Sequence, residues 1–325
     1  MFKTIMIAAC FGITALAAQS AVAAETTLTL AHNLSKDHVL AKTFAQFASD
    51  VDELSNSKME IKIYPSGQMG ETNAVMAMMQ QGAIDMTKGF YAELQAYDPS
   101  YFIFSVPYLF ENDEHLAKVL EGEVAEKINE ASRKKGFFNL AGYPSGTRNF
   151  ATNKPIHTPA DLEGMKIRTF STPTTNRTLE LMGASPAPIP FGETYTAVQQ
   201  GVIDGMANNV TTWVSSRQFE VATIFSESKH SVVVDFLTIS NKSWDRLTSE
   251  EQEILQQAAE QSISYEKELY QQDLKKARET VLAAGGEFIQ IDTAPFKAAV
   301  QPLIDELMVD PEKAELIEIV RAAAK

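Results

Sequence analysis

The repeated stretch that decides the fold class is Gln80-Gln81-Gly82-Ala83-Ile84-Asp85, which recurs as Gln199-Gln200-Gly201-Val202-Ile203-Asp204. Each copy predicts a helix that ends on glycine and leads directly into a strand. Agreement in kind at all six positions favours two lobes of related topology. A second repeat, Tyr64-Pro65-Ser66-Gly67 and Tyr143-Pro144-Ser145-Gly146, is explained equally well by similar turns that require similar residues.

Around these repeats, strand-like and helix-like segments alternate, which is the pattern of an α/β protein. The predicted strands cover residues 27–32, 59–64, 83–86, 137–143, 166–170, 185–189 and 202–206. The predicted helices of the first half cover residues 39–54, 74–81 and 114–135. Ligands of open α/β sheets bind outside the carboxyl ends of the strands, which here indicates residues 88–91 and 207–209.

A long helix is predicted from about Ser249 to Ala284. Thr248 and Ser249 begin capping boxes, Gly285-Gly286 ends the run, and no proline or glycine lies between. A helix of about 35 residues spans roughly 50 Å, which exceeds one lobe. We therefore expect one helix shared by both lobes, with two helices and an unmarked break as the alternative.

The N-terminus has the features of a signal peptide. Met1-Phe2-Lys3 is positively charged, residues 4–18 are apolar, and Ala21-Val22-Ala23 offers small residues for cleavage. We predict a signal peptide at residues 1–24, cleaved near Ala23 or Ala24, and a periplasmic protein. Ile7-Ala8-Ala9-Cys10 resembles a lipoprotein site, but the apolar run before Cys10 is too short, so no lipid anchor is expected.

Composition narrows the function classes further. Cys10 is the only cysteine and lies in the predicted leader, which excludes disulfides, a thiol nucleophile and a cysteine-ligated metal site from the mature chain. A formal net charge of −14 disfavours nucleic acid and anionic membranes as partners. An anionic ligand would therefore require local positive charge, so buried arginines are the residues of interest.

No catalytic pattern stands out in the chain. The five histidines lack metal-ligand spacing, and no nucleophile elbow or glycine-rich phosphate loop is present. We therefore predict no catalytic residue, no metal and no cofactor.

Two arginines are candidates for anion binding. Alternation within Lys166-Ile167-Arg168-Thr169-Phe170 puts Arg168 on one face of a strand, and Arg148 follows the turn at residues 144–146. A guanidinium can hold a carboxylate with two parallel hydrogen bonds, which lysine cannot do. Each arginine has a structural salt bridge as its alternative role, because a buried charge needs a partner.

The same region resembles the TRAP transporter solute-binding proteins of the DctP type. The resemblance rests on motifs that occur in order along nearly the whole chain: Tyr64-Pro65-Ser66-Gly67-Gln68-Met69-Gly70, Pro107-Tyr108-Leu109-Phe110, Gly146-Thr147-Arg148-Asn149-Phe150, Asn153-Lys154-Pro155-Ile156, Asp161 to Arg168, Gly183-Ala184-Ser185-Pro186, Pro190 to Tyr195 and Gln199 to Gly205. It implies a type II-like periplasmic binding protein with two lobes, hinge strands and a shared long helix. It also implies a carboxylate ligand and an ion-gradient-driven membrane permease as partner. On this basis lobe I takes residues 25–146 and about 234–273, and lobe II takes residues 147–233 and about 274–325.

The resemblance also assigns ligand-binding roles. Arg168 stands where the family forms its main salt bridge to the ligand carboxylate, and Arg148 where a second arginine assists. Asn208 matches the asparagine that completes the carboxylate site, and Phe191 the phenylalanine that packs on the ligand. Asn33 stands where the first strand reaches the cleft.

Departures from the family pattern bear on the ligand. Many relatives read Asp-Gly-Gln-Glu-Asn-Pro where this chain has Asp204-Gly205-Met206-Ala207-Asn208-Asn209. The Asn-Asn ending resembles the sugar-acid branch, so Asn209 joins the predicted site, although that branch usually keeps the lost glutamate. The sialic-acid branch carries a glutamate near Phe90 that is absent here.

Phe90 and Tyr91 join the predicted ligand-binding residues. Together with Phe170 and Trp213 they form an aromatic cluster that would suit a flatter or less polar ligand. A uronate-like sugar acid is the favoured ligand, with a C4-dicarboxylate or another small carboxylate as the alternative. The alternative functions are an extracytoplasmic sensor module and a periplasmic enzyme on the same fold.

Overall fold

A computed structural model describes residues 24–324, so the predicted signal peptide lies outside the described residues except for Ala24. The elements of the first part are β1 (Thr26–Ala31), α1 (Val39–Leu54), β2 (Met59–Tyr64), α2 (Thr72–Gln81), β3 (Met86–Phe90), α3 (Tyr91–Leu94), α4 (Asp113–Glu121), α5 (Glu123–Arg133) and β4 (Phe137–Thr152). The second part contains β5 (Lys166–Thr169), α6 (Pro173–Leu181), β6 (Ser185–Pro188), α7 (Thr194–Gln199), β7 (Gly205–Asn208), α8 (Val210–Ser215) and β8 (Ile224–Ser240). The last elements are α9 (Asn241–Trp244), α10 (Ser249–Ala283), β9 (Glu287–Gln290), α11 (Ala294–Met308) and α12 (Pro311–Ala323).

The strands form one sheet with a nearly symmetric order, β2-β1-β3-β8-β4-β7-β5-β6, and β9 pairs with β8. β1 is parallel to both β2 and β3 at one end, and β5 is parallel to both β6 and β7 at the other. The antiparallel strands β4 and β8, of 16 and 17 residues, connect the two ends. The predicted α/β fold with two related halves and connecting strands is confirmed.

The two copies of the repeated stretch play the same structural role. Both glycines have a left-handed backbone, with φ of 80° and 69°, and follow α2 and α7. The aspartate of each copy then accepts a backbone hydrogen bond: Asp85 Oδ2 from the N–H of Thr29 and Asp204 Oδ2 from that of Lys166, both at 2.7 Å. Residues 83–85 and 202–204 lie outside the strands, and β3 and β7 begin at residues 86 and 205. The predicted strand starts at residues 83 and 202 are wrong.

α10 is one unbroken helix of 35 residues, as predicted, and the alternative of two helices is wrong. Thr248 and Glu251 form the predicted capping box at its start. Its apolar residues near the start, such as Leu255, join the core beside β1, whereas Val281 near the end joins the core beside β7. The helix therefore packs on both ends of the sheet.

Two other predicted elements differ from the structure. The helix predicted at residues 114–135 is divided into α4 and α5 at Gly122, where the backbone is extended. A Cβ at this position would lie 2.8 Å from the carbonyl oxygen of Lys118 in the last turn of α4, so glycine suits the backbone at this break. The strand predicted at residues 137–143 continues to Thr152, because β4 pairs with β8 and then with β7.

Helix α1 positions His38 near the centre of the molecule. Phe44, Phe47 and Val51 recur at helical spacing and are fully buried against the sheet. Burial of each such side chain stabilises the fold by roughly 1.5–3 kcal/mol. This packing fixes the N-terminus of α1, where His38 is the N-cap, beside the carboxyl ends of β1 and β3.

The division into lobes remains a prediction, and the contacts of α12 revise it at one place. Ile317 and Val320 of α12 are buried in the core formed by α4, α5 and residues 99–105. These are elements of the predicted first lobe, whereas the prediction put α12 in the second. Among residues 24–324, no helix is long and apolar enough to cross a membrane, and no group of three or more potential ligands could hold a metal ion.

Candidate functional site

A cleft opens between the two halves of the sheet, at the carboxyl ends of strands β3, β5 and β7. It encloses about 480 Å³ of space free of protein atoms, open solvent at its mouth included. The residues that line it are Asn33, Leu34, His38, Lys88, Phe90, Glu93, Arg148, Arg168, Phe170, Phe191, Asn208, Thr212, Val233 and Asp235. Six of the eight predicted site residues therefore line one cleft.

Arg148 and Arg168 are buried in this cleft, with exposed fractions of 2% and 3%. Within the described part of the chain, neither guanidinium forms a salt bridge with a carboxylate. Arg168 Nε donates to the carbonyl oxygen of Ile189 at 2.9 Å, and Arg148 donates to the carbonyl of Ala207 while its Nε has no partner.

Burial lowers the pKa of Arg168 to about 9, with a smaller contribution from the charge of Arg148, and burial also lowers the pKa of Arg148. Both side chains remain cationic at neutral pH, so two incompletely compensated positive charges face the same space. This arrangement is suited to binding an anion.

Three aromatic rings form one wall of the cleft. The guanidinium carbons of Arg168 and Arg148 lie 4.3 and 4.7 Å from the centroid of the Phe170 ring, which is itself 4.6 Å from the Phe90 ring. The Phe191 ring lies 5.8 Å from the guanidinium of Arg168. These cation–π contacts hold the arginines in place and leave an apolar surface beside them.

Two asparagines contribute amide groups. Asn208 Nδ2 donates to Gln218 Oε1 at 2.8 Å, and its Oδ1 accepts from the N–H of Asn209 at 3.0 Å, so its orientation is fixed. Asn33 Nδ2 donates to Glu71 Oε2 at 3.0 Å, whereas its buried Oδ1 has no partner. Asn33 therefore offers a free acceptor to a hydroxyl donor.

Tyr91 and Asn209 do not line the cleft, although the sequence predicted that they would. Tyr91 is fully buried behind Phe90, at a ring separation of 4.3 Å. Asn209 is the N-cap of α8, where its Oδ1 accepts from the N–H of Thr212 at 3.2 Å, and its Nδ2 donates to the carbonyl of Ser145. Both residues support the cleft from behind.

Trp213 also lies outside the cleft. Its ring is 4.8 Å from that of Phe225 in a buried core, and its Nε1 donates to the carbonyl oxygen of Ala222. Of the four aromatic residues Phe90, Tyr91, Phe170 and Trp213, only Phe90 and Phe170 line the cleft.

The cleft also contains an ionic triad of Lys88, Glu93 and Asp235, which was not predicted from the sequence. Lys88 Nζ lies 3.2 Å from Asp235 Oδ1 and 3.5 Å from Glu93 Oε2. The two carboxylates raise the pKa of Lys88 despite its burial, and burial raises the pKa of Asp235 against the opposing effect of Lys88. A lysine within the otherwise uncharged, fully buried β3 was a signal that could have found the triad.

A further missed pair, His38 and Thr212, joins the two sides of the cleft. His38 Nδ1 accepts from the N–H of Leu40 at 3.1 Å, which leaves the proton of the neutral ring on Nε2. Nε2 lies 3.3 Å from Thr212 Oγ1 in α8. Burial, aided by the charge of Lys88, lowers the pKa of His38 to about 3, so the ring is neutral and donates to Thr212.

A two-ended sheet with connecting strands and a cationic cleft at its centre defines a binding protein for small anions. The chain belongs to the bacterial extracellular solute-binding proteins of family 7, the DctP family, whose model matches residues 30–310. The predicted family and fold are thereby confirmed, as is the predicted function of a TRAP-type solute-binding protein.

Individual relatives cover most of the chain. An uncharacterized protein of Salmonella typhimurium, YiiZ, is 34% identical over 276 residues, 84% of each chain. A TRAP periplasmic solute-binding protein of Xanthobacter autotrophicus, solved with bound β-D-galacturonate, is 32% identical with a TM-score of 0.86 and covers 91% of this chain and 99% of its own. Another from Anaerococcus prevotii, solved with bound D-glucuronate, is 30% identical with a TM-score of 0.88 and covers 92% of this chain and 98% of its own. Members of the family are periplasmic substrate-binding receptors.

Proposed function

We propose that this protein captures a uronate-type sugar acid in the periplasm and delivers it to the membrane permease of a TRAP transporter, without chemical turnover. The observation that carries the proposal is the pair of buried arginines, Arg148 and Arg168, which face the cleft without a carboxylate partner. A ligand carboxylate would form salt bridges with this pair, and Arg168 would be the main anchor.

The rest of the cleft wall suits a sugar ring. Phe170 and Phe191 offer apolar surface against which the C–H groups on one face of a pyranose ring can pack. Asn33, Asn208 and Thr212 offer amide and hydroxyl groups to ring hydroxyls. The uronates bound to the Xanthobacter and Anaerococcus proteins support the same ligand class.

Calorimetric titration with D-galacturonate, D-glucuronate and D-galactose tests the proposal. D-Galactose has a hydroxymethyl group in place of the carboxylate of D-galacturonate, so this pair isolates the contribution of the charge. We expect a Kd in the micromolar range or tighter for at least one uronate and no measurable binding of D-galactose. Equal binding of the neutral sugar would refute the proposal.

Succinate and N-acetylneuraminate complete the panel. Tighter binding of succinate than of either uronate would favour the C4-dicarboxylate alternative, and tighter binding of N-acetylneuraminate would favour a larger sugar acid. Genes for permease subunits beside the gene of this protein would favour transport, whereas a neighbouring receptor gene would favour the sensor alternative.

A further inference from the structure

The triad of Lys88, Glu93 and Asp235 differs in kind from the two arginines. Lys88 has two carboxylate partners within 3.5 Å, and its ammonium lies 5.6 Å from the centroid of the Phe90 ring. The three side chains are only 7%, 22% and 10% exposed, and all three residues line the cleft. The triad already compensates its own cation, so an anionic ligand gains less from Lys88 than from the arginines.

The charges of the cleft wall leave room for one negative charge. Its cations are Lys88, Arg148 and Arg168, its carboxylates are Glu93 and Asp235, and His38 is neutral. One positive charge is left over, and a ligand with a single carboxylate neutralises it. A second carboxylate would be buried without a cation of its own, which is strongly unfavourable in a site from which water is excluded.

The triad also has hydrogen-bonding capacity to spare. Each ionised carboxylate has about four acceptor sites. Asp235 uses one of them for Lys88, while Glu93 accepts from Lys88 and, at 3.4 Å, from the N–H of Phe90. The remaining sites can accept hydrogen bonds from ligand hydroxyls, whereas an ionised ligand carboxylate has no proton to donate and is repelled.

We infer that Lys88, Glu93 and Asp235 act as a charge filter that limits this binding protein to monocarboxylates and reads ligand hydroxyls. This inference rests on the proposed function, because it refines the ligand class of the same cleft. It predicts that the protein discriminates a uronate from an aldarate, the six-carbon sugar acid with a carboxylate at both ends.

The test compares D-glucuronate with D-glucarate, which differ at C1 alone, by calorimetric titration of the full-length mature protein. Asp235→Asn keeps the size of the side chain and leaves Glu93 to pair with Lys88, but raises the cleft charge by one. We expect this variant to bind D-glucarate at least about tenfold more tightly than the unaltered protein, because Coulomb interactions act strongly over a few ångström in a buried site. D-Glucuronate carries half the charge and loses one acceptor for its hydroxyls, so its affinity should rise less than that of D-glucarate or should fall.

Two further variants keep the test decisive. Glu93→Gln changes the cleft charge equally at a less buried position, so it serves if Asp235→Asn folds poorly. Glu227→Gln is the matched control, because Glu227 is similarly buried and paired with Arg278 at 2.7 Å but does not line the cleft. It should leave both affinities unchanged.

Three results would overturn the charge filter while leaving the proposed function intact. The first is that the unaltered protein binds D-glucarate as tightly as D-glucuronate. The second is that neither Asp235→Asn nor Glu93→Gln gains affinity for D-glucarate. The third is that Glu227→Gln gains as much affinity for D-glucarate as these two variants do. If the unaltered protein binds no uronate, the proposed ligand class is refuted and the filter falls with it.

Discussion

Replacing Arg168 with alanine distinguishes two roles of this residue, a ligand anchor and a structural cation. Lowering of its pKa from 12.5 to about 9 means that the folded, ligand-free protein disfavours the charged guanidinium by on the order of 5 kcal/mol. Since no carboxylate in residues 24–324 forms a salt bridge with it, the loss of Arg168 removes a poorly compensated buried charge. We therefore expect the melting temperature of ligand-free Arg168→Ala to stay the same or rise.

The affinity of the same variant should fall steeply. Truncating one partner of a buried, hydrogen-bonded charge pair costs about 2–5 kcal/mol, which is roughly a thirtyfold to several-thousandfold loss of affinity. Arg168→Lys keeps the charge but loses the two parallel hydrogen bonds, so it should lie between alanine and the unaltered protein. Calorimetric affinity for a uronate and the ligand-free melting temperature are measured on the same preparations.

Arg278→Ala is the matched control for Arg168→Ala. Arg278 is paired with Glu227 through two hydrogen bonds of 2.7 and 2.8 Å outside the cleft, so its loss should lower the melting temperature and leave the affinity unchanged. A lowered melting temperature with normal affinity for Arg168→Ala would refute the anchor role and identify Arg168 as a structural cation.

Three further predictions concern the helix α10 and the cleft. Burial, aided by the charges of two aspartates, raises the pKa of Glu266 to about 8, so the folded state holds a proton that the unfolded state has already lost at about pH 4.5. The free energy of unfolding should therefore fall as the pH rises from about 5 to 8. Glu266→Gln should remove this pH dependence and stabilise the protein at pH 9 by on the order of 3–5 kcal/mol. Melting temperatures of both proteins measured against pH test this. Gly146→Ala should lower the melting temperature by several degrees, because its Cβ would collide with the Tyr270 hydroxyl, whereas Gly136→Ala, with similar positive φ and open space, should have a smaller effect; equal losses would contradict the steric argument. Thr212→Val removes the acceptor of the hydrogen bond from His38 across the cleft. It should weaken uronate binding by about 1 kcal/mol, mainly through faster dissociation, which stopped-flow kinetics measure. An unchanged dissociation rate would show that this bond does not keep the cleft closed on the ligand.

Local patterns were sufficient to predict most of the fold. Strand alternation, glycine after a helix and a capping box are signals within a few residues, so β2, α1 and α10 were predicted to within about one residue. The start of β3 was missed because Asp85 bonds to Thr29, 56 residues away in the chain. A turn held by such a distant partner cannot be read from the local pattern.

The candidate site was predictable where a residue type had one clear use. Arginines in strands and a phenylalanine beside them indicated an anion site, and Arg148, Arg168 and Phe191 do line the cleft. Asn208 and Asn209 could not both face it, because successive residues of an extended segment point in opposite directions. Asparagine directly before a helix is a preferred N-cap, which is the role that Asn209 has.

Distant contacts account for the rest of the site. Lys88 meets Asp235 because β3 pairs antiparallel with β8, and a strand pair separated by more than 140 residues leaves no trace in the local sequence. His38 meets Thr212 only through the packing of α1 and α8 on opposite sides of the cleft. The residue types could be read from the sequence, but the residues that they contact in the folded protein could not.

The paired strands β4 and β8 restrict how the two ends of the sheet can move. The antiparallel ribbon of β4 and β8 has three register shifts, at which it can bend and twist, but the ladder of hydrogen bonds between them resists sliding. One distance across the cleft should therefore report the whole movement. Cys10, the only cysteine, precedes the described residues, so a pair of engineered cysteines on α1 and α8 could be labelled with two fluorophores without competing thiols. The architecture thus lends itself to an optical sensor for its own ligand.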